Sequence, residues 1–233
     1  AVRLNFSHGT YVEFENIIRD VRRVAKDSGQ EIAILQDLQG PKIRIGDVGS
    51  SGVPVSHGQK ITLTTRRAKN AVPVQYANLP AEVKPGDAIL IDDGLIELRV
   101  IAINAAKTNI ECRVEFAGTI HTHKGINVPT ASLSAHPLTE KDKRDLFFGI
   151  KRDVDYIALS FVRDASHVIE LKNLLRQKRS AAQIVAKIER HEAIEHIEAI
   201  VQAADAVMVA RGDLGVEIPA EYVPIYQKKI MKK

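Results

Sequence analysis

The sequence predicts an α/β protein, part of a (β/α)8 barrel with an all-β domain inserted into it. Three observations carry that prediction. Short apolar segments that end abruptly in polar or charged residues alternate with stretches of helical spacing, and five such strands of one parallel type can be counted. No glycine-rich turn follows the first of them, as it usually does in an open dinucleotide-binding sheet. From about Ile43 to Asn127 the pattern changes to alternating strands and turns with no convincing helical period.

In chain order, Ala1 to Phe6 reads as a strand without lead-in residues, as in a chain cut from a longer one. Thr10-Tyr11-Val12-Glu13 is a capping box, and Phe14, Ile17, Ile18, Val21, Val24 and Ala25 follow at helical spacing until Gly29. The next strand, Ile32 to Leu35, runs into Asp37. In the inserted stretch, strands are expected at Lys60 to Thr64, Ala88 to Ile91, Leu95 to Ile101 and Asn109 to Phe116, with Asp92-Asp93-Gly94 as a hairpin turn.

Thr139-Glu140-Lys141-Asp142 then opens a second capped helix with Leu146, Phe147 and Ile150 as its apolar face. Strands follow at Tyr156 to Ser160, Ile184 to Ile188 and Ala206 to Ala210. The helix after the first carries Val168, Leu171, Leu174 and Leu175, and one amphipathic helix is expected from Arg190 to Ala203. Pro219 is placed at the first position of a final helix. A closed barrel needs three more strands than the chain supplies.

Composition narrows the function. The 233 residues are 45% hydrophobic, enough for a sizeable core, and the net charge of +4 comes from interspersed acids and bases. There is no long basic run or aromatic-rich stripe, so a nucleic-acid groove is disfavoured. No apolar stretch reaches the length of a membrane span, and no charged leader precedes a hydrophobic segment. A single cysteine, Cys112, fits a reducing compartment, and a cytoplasmic location is expected.

The chemistry concentrates at two strand ends. Lys187, Glu189, Arg211 and Asp213 lie at the carboxyl edge of a βαβ unit, where parallel α/β folds place their active sites. Glu189 and Asp213 are hard oxygen ligands from adjacent strands, suited to a Mg²⁺ ion that takes its other ligands from substrate and water. Lys187, on the same side of its strand as Glu189, is placed to neutralise a phosphoryl group. Taken singly, Lys187, Glu189 and Asp213 each favour a plainer reading as parts of a surface ion-pair network at a strand edge.

Four motifs, in order and with the right separations, resemble pyruvate kinase. They are Leu4-Asn5-Phe6-Ser7-His8-Gly9, Asp37-Leu38-Gln39-Gly40-Pro41-Lys42-Ile43-Arg44, Lys187-Ile188-Glu189, and the run from Met208 to Pro219. The resemblance implies phosphoryl transfer from phosphoenolpyruvate to ADP, giving pyruvate and ATP, with Mg²⁺ or Mn²⁺ held by Glu189 and Asp213. It implies catalytic roles for Lys187, Arg3 and Arg44, and substrate contacts from Ser160 and the backbone of Gly212 and Asp213. Asn5, Phe6, Ser7 and His8, with Arg44 and Lys124, fall on the nucleotide side.

The same resemblance implies a domain scheme: residues 1–42 as barrel strands two and three, 43–128 as a β-barrel lid, and 129–233 as strands four to six. The lid would bring Lys124, Asn127 and Asp93 to the site. Asn5, Ser7, Asp37 and the Leu38 carbonyl match the family's monovalent-cation positions. Lys42 stands where K⁺-dependent members carry glutamate, which implies that K⁺ is not required. A homotetramer is implied for the full-length protein. Two other readings remain open at this stage: a different metal-dependent phosphoenolpyruvate or pyruvate barrel enzyme, and a non-catalytic segment that cannot close a site.

Overall fold

The computed structural model describes residues 1–66 and 68–233, which fall into two compact units. The first comprises Ala1–Pro41, His136–Leu214 and Glu221–Lys233, and the second Lys42–Ala135 with Gly215–Ala220.

The chain opens with β1 (Val2–Asn5), α1 (Tyr11–Ser28) and β2 (Ile34–Asp37). α1 starts where the sequence places it: the Thr10 hydroxyl accepts the Glu13 N–H while the Glu13 carboxylate accepts the Thr10 N–H, and Gly29 closes the helix at φ 65°. β2 begins two residues later than the apolar run suggests, at Ile34 rather than Ile32, and carries Gln36 and Asp37 as ladder residues.

The second unit follows with β3 (Val53–Val55), β4 (Lys60–Thr64), β5 (Val72–Pro73), α2 (Leu79–Glu82), β6 (Ala88–Ile91), β7 (Ile96–Ile103), β8 (Asn109–Phe116), β9 (Gly118–Ile120) and β10 (Ile126–Asn127). Six of these form one sheet in the order β10-β6-β7-β8-β4-β5, and β3 pairs with β9. The β6–β7 hairpin turns on Asp93 and Gly94, whose φ angles of 56° and 87° are the left-handed pair that a type I′ turn requires. The core of this unit includes Leu63, Leu79, Ile89, Ile91, Leu98, Ile110 and Cys112, all fully buried. α2 corrects the expectation of an unbroken β pattern: a single turn is too short to reveal a helical period.

The first unit resumes with α3 (Glu140–Ile150), β11 (Tyr156–Leu159), α4 (Ala165–Gln177), β12 (Gln183–Ile188), α5 (His191–Glu195), α6 (Ile197–Ala203), β13 (Ala206–Val209), α7 (Arg211–Glu217) and, after a 3-10 turn at Ala220–Tyr222, α8 (Val223–Ile230). Its sheet is all parallel in the order β1-β2-β11-β12-β13, five of the eight strands of a closed barrel, as expected. Leu4, Ile34, Ile157, Leu159, Ile184, Ala186 and Ile188 from the strands pack with Ile18, Leu146, Leu171 and Ile200 from the helices.

Three helical expectations are corrected. The Arg190 to Ala203 run is two helices, divided at His196 (φ −104°, ψ 17°); the apolar spacing continues across the break, so periodicity conceals it. Pro219 precedes the 3-10 turn, and the last helix starts at Val223 with Pro224 in its first turn. The buried face of α3 is not the apolar set Leu146, Phe147 and Ile150: it consists of Asp142, Asp145, Leu146 and Gly149.

Candidate active site

Strand register gathers the site. Asn5 pairs with Asp37, Asp37 with Ala158, and Ala158 with Val185. Residues paired in neighbouring strands share a face, and so do residues two apart along one strand. Arg3, Asp37, Ser160, Lys187 and Glu189 therefore project on one side of the first unit's sheet, near the strands' carboxyl ends.

There they form one connected network. Lys187 Nζ lies 2.7 Å from Glu189 Oε1, 3.1 Å from Asp37 Oδ1 and 2.8 Å from Ser160 Oγ, to which it donates. Its approach to Asp37 is ionic without hydrogen-bond alignment, since Asp37 Oδ1 has no directed donor. The other Asp37 oxygen accepts from Arg3 Nε at 2.7 Å and lies 2.6 Å from Arg3 Nη2. Ser160 passes its own hydroxyl hydrogen to the Leu38 carbonyl at 2.7 Å. Glu189 Oε2 accepts the Phe161 N–H at 2.8 Å, and Phe161 holds a left-handed backbone, φ 57°, in doing so.

These groups are not at the surface. Asp37, Ser160 and Glu189 are all within 2% of complete burial, and Lys187 is 8% exposed. Burial by itself would depress the Lys187 ammonium, but Glu189 and Asp37 outweigh it and hold the amine above the usual lysine range. Lys187 is therefore firmly charged. Burial pushes the Glu189 carboxyl up, Lys187 opposes that shift, and the nearby charge of Asp213 adds to it. A surface ion-pair network, the alternative left open by the sequence, is inconsistent with this degree of burial.

The donor set suits a hard divalent cation. Glu189 and Asp213 are two carboxylates close enough for one to disfavour ionisation of the other, a conflict that a cation between them relieves. Asp213 and Gly212 lie in the first turn of α7, where helical N–H groups lack partners within the helix.

The other predicted residues have these surroundings. Asn5 Oδ1 accepts the Ser7 N–H at 3.1 Å, and His8 is exposed. The Phe6 ring belongs to the core, stacked on Phe14 with centroids 4.1 Å apart, so only its backbone is available to a nucleotide. Arg44, Lys124, Asp93, Asn127 and Lys42 belong to the second unit. There Arg44 Nη1 donates to the His123 carbonyl at 2.8 Å, Lys124 pairs with Asp92 at 2.9 Å, and Asn127 donates to Glu217 at 3.0 Å. Asp93 is exposed in its turn, and the Lys42 stem runs beside Gly125.

Sequence reasoning missed Gly40, Phe161, Lys141 and Asp142. Gly40 has φ 69°, and a Cβ there would come within 2.7 Å of the Phe161 ring and 3.0 Å of Ser160 Cβ. Its N–H donates to Asp142 Oδ1 at 3.0 Å. Gly40 stands in a motif and Asp142 in a capping box that the sequence offers, but neither signal says that the two meet.

Comparison with known proteins shows the family of the whole chain. The family model described as the pyruvate kinase barrel domain matches residues 1–233. Pyruvate kinase 2 of Synechocystis sp. is 44% identical over 236 residues, covering 98% of this chain and 40% of that protein. Pyruvate kinase of Bacillus licheniformis is 42% identical over 235 residues, 99% of this chain and 40% of the relative. Pyruvate kinase of Thermococcus litoralis is 42% identical over 234 residues, 99% of this chain and 49% of the relative. The chain thus spans two fifths to one half of the length of these relatives. From strand register, buried charge network and whole-chain similarity together, this chain belongs to the pyruvate kinase barrel-domain family.

Proposed function

We propose that the longer protein to which these residues correspond transfers the phosphoryl group of phosphoenolpyruvate to ADP, yielding pyruvate and ATP. The observation that supports this most is the buried Lys187, which is held charged among Glu189, Asp37 and Ser160 at the strand ends. Phosphoryl transfer asks a protein mainly for positioning and charge neutralisation, and a fixed, desolvated ammonium supplies both.

Glu189 and Asp213 are the residues that would hold Mg²⁺ or Mn²⁺, which when bound draws negative charge from the phosphoryl and carboxylate oxygens of the substrate. Lys187 neutralises the phosphoryl group in transit, and the Ser160 hydroxyl steers the ammonium while contacting phosphoenolpyruvate. Arg3, half exposed and tied to Asp37 by one edge of its guanidinium, turns its remaining donors to the phosphate. The backbone N–H groups of Gly212 and Asp213 receive the substrate carboxylate.

Asn5, Ser7 and His8, with the backbone of Phe6, form the nucleotide side. Arg44 and Lys124, in the second unit, are assigned to the nucleotide on family resemblance alone. Residues 43–128 then act as the lid domain, and 1–42 with 129–233 as the two barrel parts. A cytoplasmic homotetramer is the assembly in which we place the full-length protein.

The reaction does not need K⁺. Asp37 is already paired with Arg3 and Lys187, the Leu38 carbonyl already accepts from Ser160, and Asn5 Oδ1 already accepts from Ser7. A monovalent ion would compete with donors that the chain supplies itself.

The test is phosphoenolpyruvate-dependent ATP formation by the full-length protein, with and without Mg²⁺, and with Na⁺ or K⁺ as the only monovalent cation. Mg²⁺-dependent ATP is expected in either salt. No ATP under any of these conditions would reject the proposed activity.

A further inference from the structure

Two capping boxes among the described residues do the same local work in different surroundings. In α1, Glu13 lies at the surface and only caps. In α3, Asp142 is completely buried. Its Oδ2 accepts from the Thr139 N–H at 2.9 Å and from the Thr139 hydroxyl at 2.5 Å, which completes the cap. Its Oδ1 accepts the Gly40 N–H at 3.0 Å, from the loop that follows β2. A cap alone does not call for burial, as α1 shows, and burying a carboxylate is costly unless its oxygens gain partners. The second oxygen therefore has a purpose outside α3.

Gly40 connects that oxygen to the site. It packs directly against Ser160 and Phe161, too closely for a side chain. Ser160 holds Lys187 and the Leu38 carbonyl, and the Phe161 N–H holds Glu189. The adjacent residue does the corresponding work for the other loop. Lys141 Nζ donates to the Phe6 carbonyl at 2.8 Å and is fixed by buried Asp145 at 2.6 Å. Asp145 in turn accepts from the Tyr11 hydroxyl at 2.7 Å.

We propose that Asp142 and Lys141, neighbours in the first turn of α3, are positioning residues that divide the site between them. Asp142 sets the 37–40 loop and through it Lys187 and Glu189. Lys141 sets the 5–8 loop, the nucleotide side. The inference rests on the phosphoryl-transfer reading for its kinetic consequence but not for its structural one.

The test uses the full-length protein with Asp142→Ala, Asp142→Asn, Lys141→Met and Thr139→Val. Asp142→Ala is expected to lower kcat/KM for phosphoenolpyruvate by about 10–100-fold while the KM for ADP stays within about twofold, the usual scale for a residue supporting a site's ligands. Asp142→Asn, which keeps an oxygen for Gly40, recovers much of that loss and serves if the alanine variant does not fold. Lys141→Met raises the KM for ADP and spares phosphoenolpyruvate. Thr139→Val removes the cap and one donor to Asp142 Oδ2 but leaves the Gly40 bond to Oδ1, so it lowers thermal stability and reduces kcat/KM for phosphoenolpyruvate by much less than Asp142→Ala does.

Hydrogen exchange reads the same division without catalysis. Asp142→Ala is expected to speed exchange at residues 37–40 and not at 5–8, and Lys141→Met the reverse. Variants that affect both substrates and both loops in proportion, or a Thr139→Val variant that matches Asp142→Ala kinetically, would overturn the proposal. Absent turnover in the wild-type protein, with the exchange division intact, would reject the activity and leave the positioning standing.

Discussion

The Lys187 ammonium stands 2.7 Å from Glu189 Oε1, so the side chain assigned to a phosphoryl group already neutralises a carboxylate assigned to a metal. If Glu189 holds the divalent ion proposed above, that ion and Lys187 would share one carboxylate, and binding of the ion would weaken the hold of Glu189 on the ammonium and leave it for the substrate.

Replacing Lys187 by Met tests that coupling. Turnover of the full-length enzyme is expected to fall by about a thousandfold or more, the scale seen when a fixed charge is taken from a desolvated reacting centre. Mn²⁺ binding, followed by electron paramagnetic resonance, is expected to be retained or to tighten, because a competing cation has gone. Lost Mn²⁺ binding would show that Lys187 builds the carboxylate site rather than competing for it.

Asp37 is expected to be a stability residue as much as a site residue. It is 1% exposed and faces Lys187, itself 10% exposed at the side chain, while Arg3 is 54% exposed and has water as an alternative partner. Asp37→Asn therefore costs little through Arg3 and much through Lys187. Removing one partner of a buried pair costs about 3–5 kcal/mol, and Lys187 keeps Glu189, so the low end is expected in urea unfolding. Lys187→Met leaves Glu189 buried without its cation and is costly by itself, so the loss in the Asp37→Asn/Lys187→Met double variant is expected to be smaller than the sum of the two single losses. Strictly additive losses would mean that the pair is not energetically coupled.

How legible was this in the sequence? The parallel strands were, because an apolar run ending in Lys187-Ile188-Glu189 or Asp37 carries both its period and its edge. Both capping boxes were, because Thr followed three residues later by Glu13 or Asp142 is a local signal. The double use of Asp142 was not: nothing within reach of residue 142 in sequence says that its second oxygen serves Gly40, 102 residues away. The same limit applies to Phe6. Its place in a nucleotide-side motif was readable, but its burial against Phe14 comes from tertiary packing.

Cys112 gives a pH-dependent prediction. It is completely buried in β8, and burial, with the negative charge of Glu111 beside it, pushes its thiol up to about 12. In the unfolded chain the same thiol ionises near its ordinary value of about 8.5, so from there upward the unfolded state alone releases the proton and stability falls. Between pH 8.5 and 10 this amounts to on the order of 2 kcal/mol. Tyr11, also raised to about 12, acts in the same direction starting near pH 10. A Cys112→Val variant separates the two: its stability in denaturant should fall less than wild type over that interval. Equal falls would mean that the thiol does not contribute, and native Cys112 should also resist alkylation at pH 8 until denaturant is added.

The monovalent-cation prediction depends on which groups are already occupied. Arg3 and Lys187 both face Asp37, and Ser160 donates to the Leu38 carbonyl at 2.7 Å, so we propose that two fixed cations of the chain supply the charge that a monovalent ion would bring to Asp37. Turnover of the full-length protein is expected to be equal in Na⁺ and K⁺. Lys42→Glu removes one fixed positive charge and adds a negative one, and activity in Na⁺ should fall by about tenfold or more, with K⁺ restoring it. Measuring kcat across a K⁺ titration at constant ionic strength separates a specific ion from general screening. Loss of activity that K⁺ does not restore would place Lys42 in folding or substrate contact, and an unchanged variant would leave the carbonyl and carboxylate pairing as the whole basis of independence.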